Sequence, residues 1–100
     1  MSDRARILIV DDEQAILETM EYTFEGDYDV LTAPSAPEAL RVLDANVPIA
    51  VVITDQRMPE MTGVEFLARV CERHPNTTRI ILTGYADGDA MVRAINEGHV

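Results

Sequence analysis

The stretch Ile7-Leu8-Ile9-Val10-Asp11-Asp12 is a short apolar run that ends in two carboxylates. The same pattern returns where Val51-Val52-Ile53-Thr54 meets Asp55, and where Ile80-Ile81-Leu82 meets Thr83-Gly84. Short aliphatic runs between helical patterns are typical of central strands in a parallel sheet. Ligands of such sheets bind beyond the carboxyl ends of the strands. We therefore expect these polar residues to meet at one edge of the sheet and to form a site.

The composition indicates one globular domain with a substantial core. The 100 residues are 47% hydrophobic and include one cysteine, Cys71, which excludes an internal disulfide framework and fits a reducing cytoplasm. The net charge of −10 disfavours contact with nucleic acid or an anionic membrane surface. No apolar run approaches the roughly 20 residues that a membrane helix needs. We therefore expect a cytoplasmic domain that contacts neither nucleic acid nor membrane.

Strand and helix signals alternate along the chain. We expect strands at residues 5–10, 28–33, 50–54 and 79–82, the third being the most buried, and helices at 13–24, from Ser35, at 62–73 and at 89–97. Capping-box patterns open the second and third helices, and Gly26 is expected to end the first, whose inner face includes Ile16. Four such β-α repeats predict a parallel sheet with helices on both faces.

The acids Asp11, Asp12 and Asp55 form a candidate metal site. If they lie within about 5 Å of one another, each ionised pair repels by about 3 kcal/mol at an effective dielectric near 20, so the cluster must hold protons or a divalent cation. Carboxylate oxygens at a wet edge suit Mg²⁺, which accepts a phosphate as a further ligand. One carboxylate could then attack phosphorus, while the Thr83 hydroxyl and the Gly84 N–H bind the phosphoryl oxygens.

Each of these residues also has an ordinary structural interpretation. An Asp pair after a strand can cap the next helix, and Asp55 can be a turn residue. Thr83-Gly84 alone says almost nothing. Their joint occurrence at the ends of three predicted strands favours a site over separate turns and caps.

These segments, together with the loop Asp55-Gln-Arg57-Met-Pro59-Glu-Met-Thr-Gly63, resemble the receiver domain of bacterial two-component response regulators. The resemblance covers essentially the whole chain and is greatest to receivers of NtrC-like transcriptional regulators. It implies that residues 1–100 form one receiver domain with a flavodoxin-like α/β fold, a doubly wound parallel sheet in strand order 2-1-3-4.

The resemblance also implies a function and a role for each site residue. Asp55 would accept a phosphoryl group from a sensor histidine kinase, and Thr83 would be the switch hydroxyl. Asp11, Asp12 and Asp55 would hold Mg²⁺ together with the backbone carbonyl of Arg57. The domain would be a signalling module rather than an enzyme, with an output domain, expected to bind DNA, in the parent protein.

The chain departs from the family pattern in one respect. A family receiver carries a lysine at the end of a fifth strand, followed by a fifth helix, whereas this sequence has no lysine and ends at Val100. We therefore expect a receiver shortened before its last strand and helix, or a fragment of a longer regulator, with impaired phosphorylation and a homodimer formed through exposed apolar surface.

Two functions stay open on the sequence alone. One is the phospho-accepting switch, and the other is a dimerisation module that acts without phosphorylation. A metal-dependent phosphatase is the weaker third interpretation, because such enzymes place the nucleophile in an Asp-x-Asp pattern on the first strand and this chain has Asp11-Asp12-Glu13 there.

Overall fold

The structure is a computed structural model and describes residues 4–82. Within them lie four strands and three helices: β1 (Arg6–Val10), α1 (Gln14–Phe24), β2 (Asp29–Ala33), α2 (Ala36–Ala45), β3 (Val51–Asp55), α3 (Gly63–Arg73) and β4 (Thr78–Leu82). All paired strands are parallel and the order is β2-β1-β3-β4. The flavodoxin-like sheet and its strand order are therefore confirmed. The helix predicted at 89–97 lies outside the described residues.

The core lies on both faces of the sheet, because alternate residues of each strand point to opposite sides. On the larger face, α2 and α3 cover Leu8, Val10 and Val52, and on the other face α1 packs against Ile7 and Ile9. Both faces of β1 are thus covered. This strand is the most buried of the four, which gives the sheet a rigid centre.

The expectation that β3 is the most buried strand was wrong. Val51 and Ile53 are only half-buried, although Val52 on the other face is fully buried. The reason is that α1 packs over β1 and β2, towards one side of the sheet. Beside α1, on the side of β3 and β4, lies an apolar cavity of about 260 Å³. It is lined in part by Val51, Ile53 and Ile80.

The first helix differs from its predicted form in two details. Ile16 is 38% exposed rather than inward, because the buried face is centred on Leu17 and continues through Met20 and Phe24. Gly26 follows the helix but does not adopt the left-handed conformation of a glycine cap. Instead, the guanidinium of Arg4 donates to the carbonyl oxygens of Glu25 and Gly26, at 2.9 and 2.7 Å.

The predicted starts of the other helices are confirmed, although the capping box predicted at α2 is only half formed. The Ser35 hydroxyl accepts a hydrogen bond from the Glu38 N–H at the start of α2, while the Glu38 carboxylate pairs with Arg41. At α3 the capping box is complete, since Thr62 and Glu65 each accept from the other's backbone N–H. Within residues 4–82, no helix is long and apolar enough to cross a membrane.

Candidate functional site

The register of β1 against β3 places the acidic residues at one edge of the sheet. Val10 lies opposite Thr54, so the next residues, Asp11 and Asp55, leave the two neighbouring strands at the same level. One carboxylate oxygen from each of Asp11, Asp12 and Asp55 lies within 4.8 Å of the others. The convergence expected from the sequence is therefore present for the three acids.

Asp11 is held in place by its neighbours. Its backbone N–H donates to the Ala33 carbonyl oxygen at 3.2 Å, which ties it to β2. Its Oδ1 accepts a hydrogen bond from the Glu13 N–H at 2.9 Å, next to the start of α1. This bond forms an Asx turn before α1 and is not a helix cap, because the N-cap residue of α1 is Glu13 and no side chain caps that helix. The capping interpretation of Asp11 is therefore wrong, and its side chain belongs to the acidic cluster.

The surroundings of Asp11 disfavour its ionised form. Asp11 is 9% exposed. Burial raises its pKa above the ordinary value of 3.8, and the charges of Asp55, Asp12 and Glu13 raise it further, against the opposing effect of the Glu13 N–H. A carboxylate in this position is stabilised by a proton or by a cation.

The donor set is suited to a hard divalent cation. All three side chains offer carboxylate oxygens, and Asp12 is exposed, so water and a further ligand can reach the site. Mg²⁺ prefers oxygen donors and retains several of its waters. Among residues 4–82, this is the one group of three or more acidic, histidine or cysteine side chains with this geometry.

The loop after Asp55 is anchored at both ends. Met58 is buried in the core on the α2–α3 face, within contact distance of the Thr54 hydroxyl, and Met61 packs against the same core. Between them, the Met61 N–H donates to the Pro59 carbonyl at 2.8 Å, and Glu60 has a φ of 72°. The loop is therefore a fixed structure, with local strain at Glu60.

Gln56 is the residue that sequence reasoning missed. It is 8% exposed, and its backbone and side-chain oxygens both accept hydrogen bonds from the start of α3. The sequence signal for Gln56 was indirect, since the capping box showed where α3 begins but not which groups would accept from its first amides.

The role predicted for the Arg57 carbonyl stays a prediction, and Thr83 and Gly84 lie outside the described residues.

The comparison with known families agrees with this fold and site. The model of the response regulator receiver domain matches residues 7–100, and the chain belongs to that family. Receiver domains are signalling domains and are not generally classed as enzymes. The acidic edge described above is thus the edge of a receiver domain.

Individual relatives narrow the placement. The chain is 43% identical over 101 residues to the hydrogenase transcriptional regulatory protein HoxA of Cupriavidus necator, covering 100% of this chain and 21% of that protein. It is 38% identical over 98 residues to the alginate biosynthesis transcriptional regulatory protein AlgB of Pseudomonas aeruginosa, covering 97% and 22%. The chain thus spans about a fifth of the length of these relatives. They confirm the expected likeness to NtrC-like regulators.

A solved structure supports the same placement. The response regulator receiver domain protein of Clostridium thermocellum superimposes with a TM-score of 0.90 at 41% sequence identity, covering 94% of this chain and 76% of that one. The fold and the sequence therefore point to the same family.

Proposed function

We propose that this chain accepts a phosphoryl group on Asp55 from a sensor histidine kinase and thereby switches an output surface. The observation that carries the proposal is the convergence of Asp55 with Asp11 and Asp12 at the carboxyl edge of a receiver-family sheet. The likeness to HoxA and AlgB supports a parent protein that regulates transcription in the cytoplasm, with an output domain that binds DNA.

We propose Mg²⁺ as the cation of this site. Asp11, Asp12 and Asp55 would hold it, and the backbone carbonyl of Arg57 would complete the protein's share of its ligands. Three convergent carboxylates with one exposed member fit such an ion. When bound, it supplies positive charge that neutralises the phosphoryl oxygens.

The chain's own residues supply the nucleophile and its orientation. A carboxylate oxygen of Asp55 forms the new bond to phosphorus, while the bond from phosphorus to the donor's nitrogen or oxygen breaks and the donor leaves with that electron pair. The Glu13 N–H fixes Asp11 beside it. The Thr83 hydroxyl and the Gly84 N–H are proposed to donate to the phosphoryl oxygens as negative charge builds on them.

The direct test is the intact mass of the protein after incubation with acetyl phosphate and Mg²⁺. We expect one phosphoryl adduct on the unaltered chain and none on Asp55→Asn, which keeps the size of the side chain but removes the nucleophile. An unaltered chain that gains no adduct, or an Asp55→Asn variant that gains one, would contradict the proposal.

Self-association is a second proposal, favoured by one surface of the sheet. Ile80 of β4 lines the apolar cavity beside α1 and is 39% exposed. Leu82, two residues further along the same strand and therefore on the same face, is 47% exposed. We infer that a second copy of the chain covers this surface. Sedimentation at micromolar concentration is expected to show a dimer that Ile80→Glu converts to monomer, and a strictly monomeric unaltered chain would overturn it.

A further inference from the structure

The first turn of α3 lies directly on the peptide unit that follows the proposed phospho-acceptor. A Cβ built on Gly63 would lie 2.5 Å from the Asp55 carbonyl oxygen and 3.0 Å from the Cα of Gln56. Both neighbours are backbone atoms, which cannot rotate away as the end of a side chain can. The backbone at Gly63 is therefore packed closely against the backbone at Asp55 and Gln56.

Gln56 joins the same two elements by hydrogen bonds. Its carbonyl oxygen accepts from the Gly63 N–H at 3.0 Å, and its side-chain Oε1 accepts from the Val64 N–H at 2.9 Å. The first amides of a helix have no acceptor within the helix, so each depends on an outside partner. Gln56 supplies that partner for two successive amides of α3, from the residue next to Asp55.

We propose that Gln56 is a positioning residue, whose side chain couples the first turn of α3 to the carboxylate site at Asp55. The proposal rests on the proposed function of Asp55 and adds a route from that site to a helix. Occupation of the acidic site by a cation or a phosphoryl group shifts the backbone at Asp55, and the Gln56 side chain carries the shift to Val64. In the other direction, the bond holds Asp55 in place for the reaction.

A purely structural role would be helix capping, and the chain contains a matched control for it. Thr62 caps the same turn, since its hydroxyl accepts from the Glu65 N–H at 3.2 Å. Among the hydrogen bonds of residues 4–82, those of Thr62 lead to Glu65 and Phe66 and none leads to Asp55 or Gln56. Loss of either cap loosens α3, but only loss of the Gln56 side chain removes a hydrogen bond between α3 and the residue that follows Asp55. The bond from the Gly63 N–H to the Gln56 carbonyl oxygen remains in both variants.

The first experiment compares two variants, Gln56→Met and Thr62→Val. The methionine side chain is similar in length to that of glutamine but lacks the side-chain oxygen that accepts from the Val64 N–H. The rate of phosphorylation by acetyl phosphate at saturating Mg²⁺ is measured beside stability in urea. We expect Gln56→Met to slow the reaction about tenfold, because a misplaced reacting group loses rate steeply. Thr62→Val is expected to change it less than about twofold at a similar loss of stability. Equal rates for the two variants would overturn the proposal.

The second readout is the position of the Gly63 and Val64 amide resonances as Mg²⁺ is added. Both are expected to shift in the unaltered chain and in Thr62→Val, whereas the Val64 response is lost in Gln56→Met. Gln56→Glu keeps a side-chain oxygen at the helix start and is expected to restore it. If the Val64 amide resonance of the unaltered chain does not shift when Mg²⁺ is added, the coupling is overturned. This test holds even if Gln56→Met does not fold.

The two proposals fail in different ways. An unaltered chain without a phosphoryl adduct refutes the function proposed for Asp55, and the Mg²⁺-dependent amide shifts then decide the role of Gln56 alone. A chain that is phosphorylated at the same rate with and without the Gln56 side chain refutes only the positioning role.

Discussion

The carbonyl oxygen of Asp55 lies 2.5 Å from the point that a Cβ would occupy on Gly63. Only a residue without a side chain allows α3 to start this close to the end of β3. The close start lets Phe66 and Leu67, one turn further on, pack with no exposed surface in the core. The glycine therefore serves the approach of two backbones, and its conformational freedom is not what the site requires.

Gly63→Ala is expected to lower the free energy of unfolding by about 1–3 kcal/mol, because the added methyl group forces a backbone shift in a packed region. Urea unfolding measures this directly. Gly26→Ala is the matched control, since a Cβ there meets nothing within 4 Å. Its stability is expected to stay equal or to rise by less than about 1 kcal/mol. Equal losses in the two variants would contradict the packing argument.

Mg²⁺ is expected to stabilise the folded chain. A ligand that binds only the folded state at about 100 times its dissociation constant adds about 2.7 kcal/mol to the free energy of unfolding. Thermal unfolding with and without Mg²⁺ measures the effect. Asp12→Asn removes one carboxylate of the cluster and is expected to abolish most of it.

The control for the Mg²⁺ experiment is another exposed acid. Asp27 lies just before β2, at the amino end of the strand and therefore away from the carboxyl edge. Asp27→Asn makes the same change of charge and is expected to keep the full stabilisation. A similar loss in both variants would mean that Mg²⁺ acts through general screening.

The sequence was sufficient to predict the parts of the site that depend on strand direction. Parallel strands that end in Asp11-Asp12 and in Asp55 must bring these residues to one edge, and the register of Val10 against Thr54 does so. The starts of α2 and α3 were predictable too, because Ser35 and Thr62 act locally through their own hydroxyls.

The parts that depend on contacts distant in sequence were not predictable. The end of α1 is bound by Arg4, which lies 21 and 22 residues away from its acceptors. The exposure of Ile16 depends on the rotation of α1, whose buried face is centred on Leu17, and the half-burial of Val51 depends on where α1 sits across the sheet. Periodicity predicts that a helix has an apolar face but not its exact rotation or its lateral position, so these details were wrong.

The loop after the acceptor offers a test of local strain. Glu60 has a φ of 72° between Met58 and Met61, which are both held by the core. Glu60→Gly removes the clash of the Cβ in this conformation, which stabilises the folded chain, but glycine also adds entropy to the unfolded chain. The free energy of unfolding is expected to rise by about 0.5–1 kcal/mol as the net result of these two effects. Glu60→Ala keeps the strain and is the control in urea unfolding. An alanine variant as stable as the glycine variant would contradict the strain.

The acidic cluster predicts an unusual dependence of stability on pH in the absence of Mg²⁺. Burial and the neighbouring carboxylates raise the pKa of Asp11 above 3.8, so the folded chain binds this proton more tightly than the unfolded chain does. The stabilising contribution of this proton is therefore complete below the unfolded pKa and is lost as the pH rises through the raised pKa.

Asp11→Asn stays neutral and keeps an oxygen for the Glu13 N–H, so it is expected to be more stable than the unaltered chain near neutral pH. Urea unfolding in a metal chelator is expected to show this difference shrinking as the pH falls, and saturating Mg²⁺ is expected to reverse it. An Asp11→Asn variant that is less stable at neutral pH without Mg²⁺ would show that charge repulsion is not the dominant effect at this site.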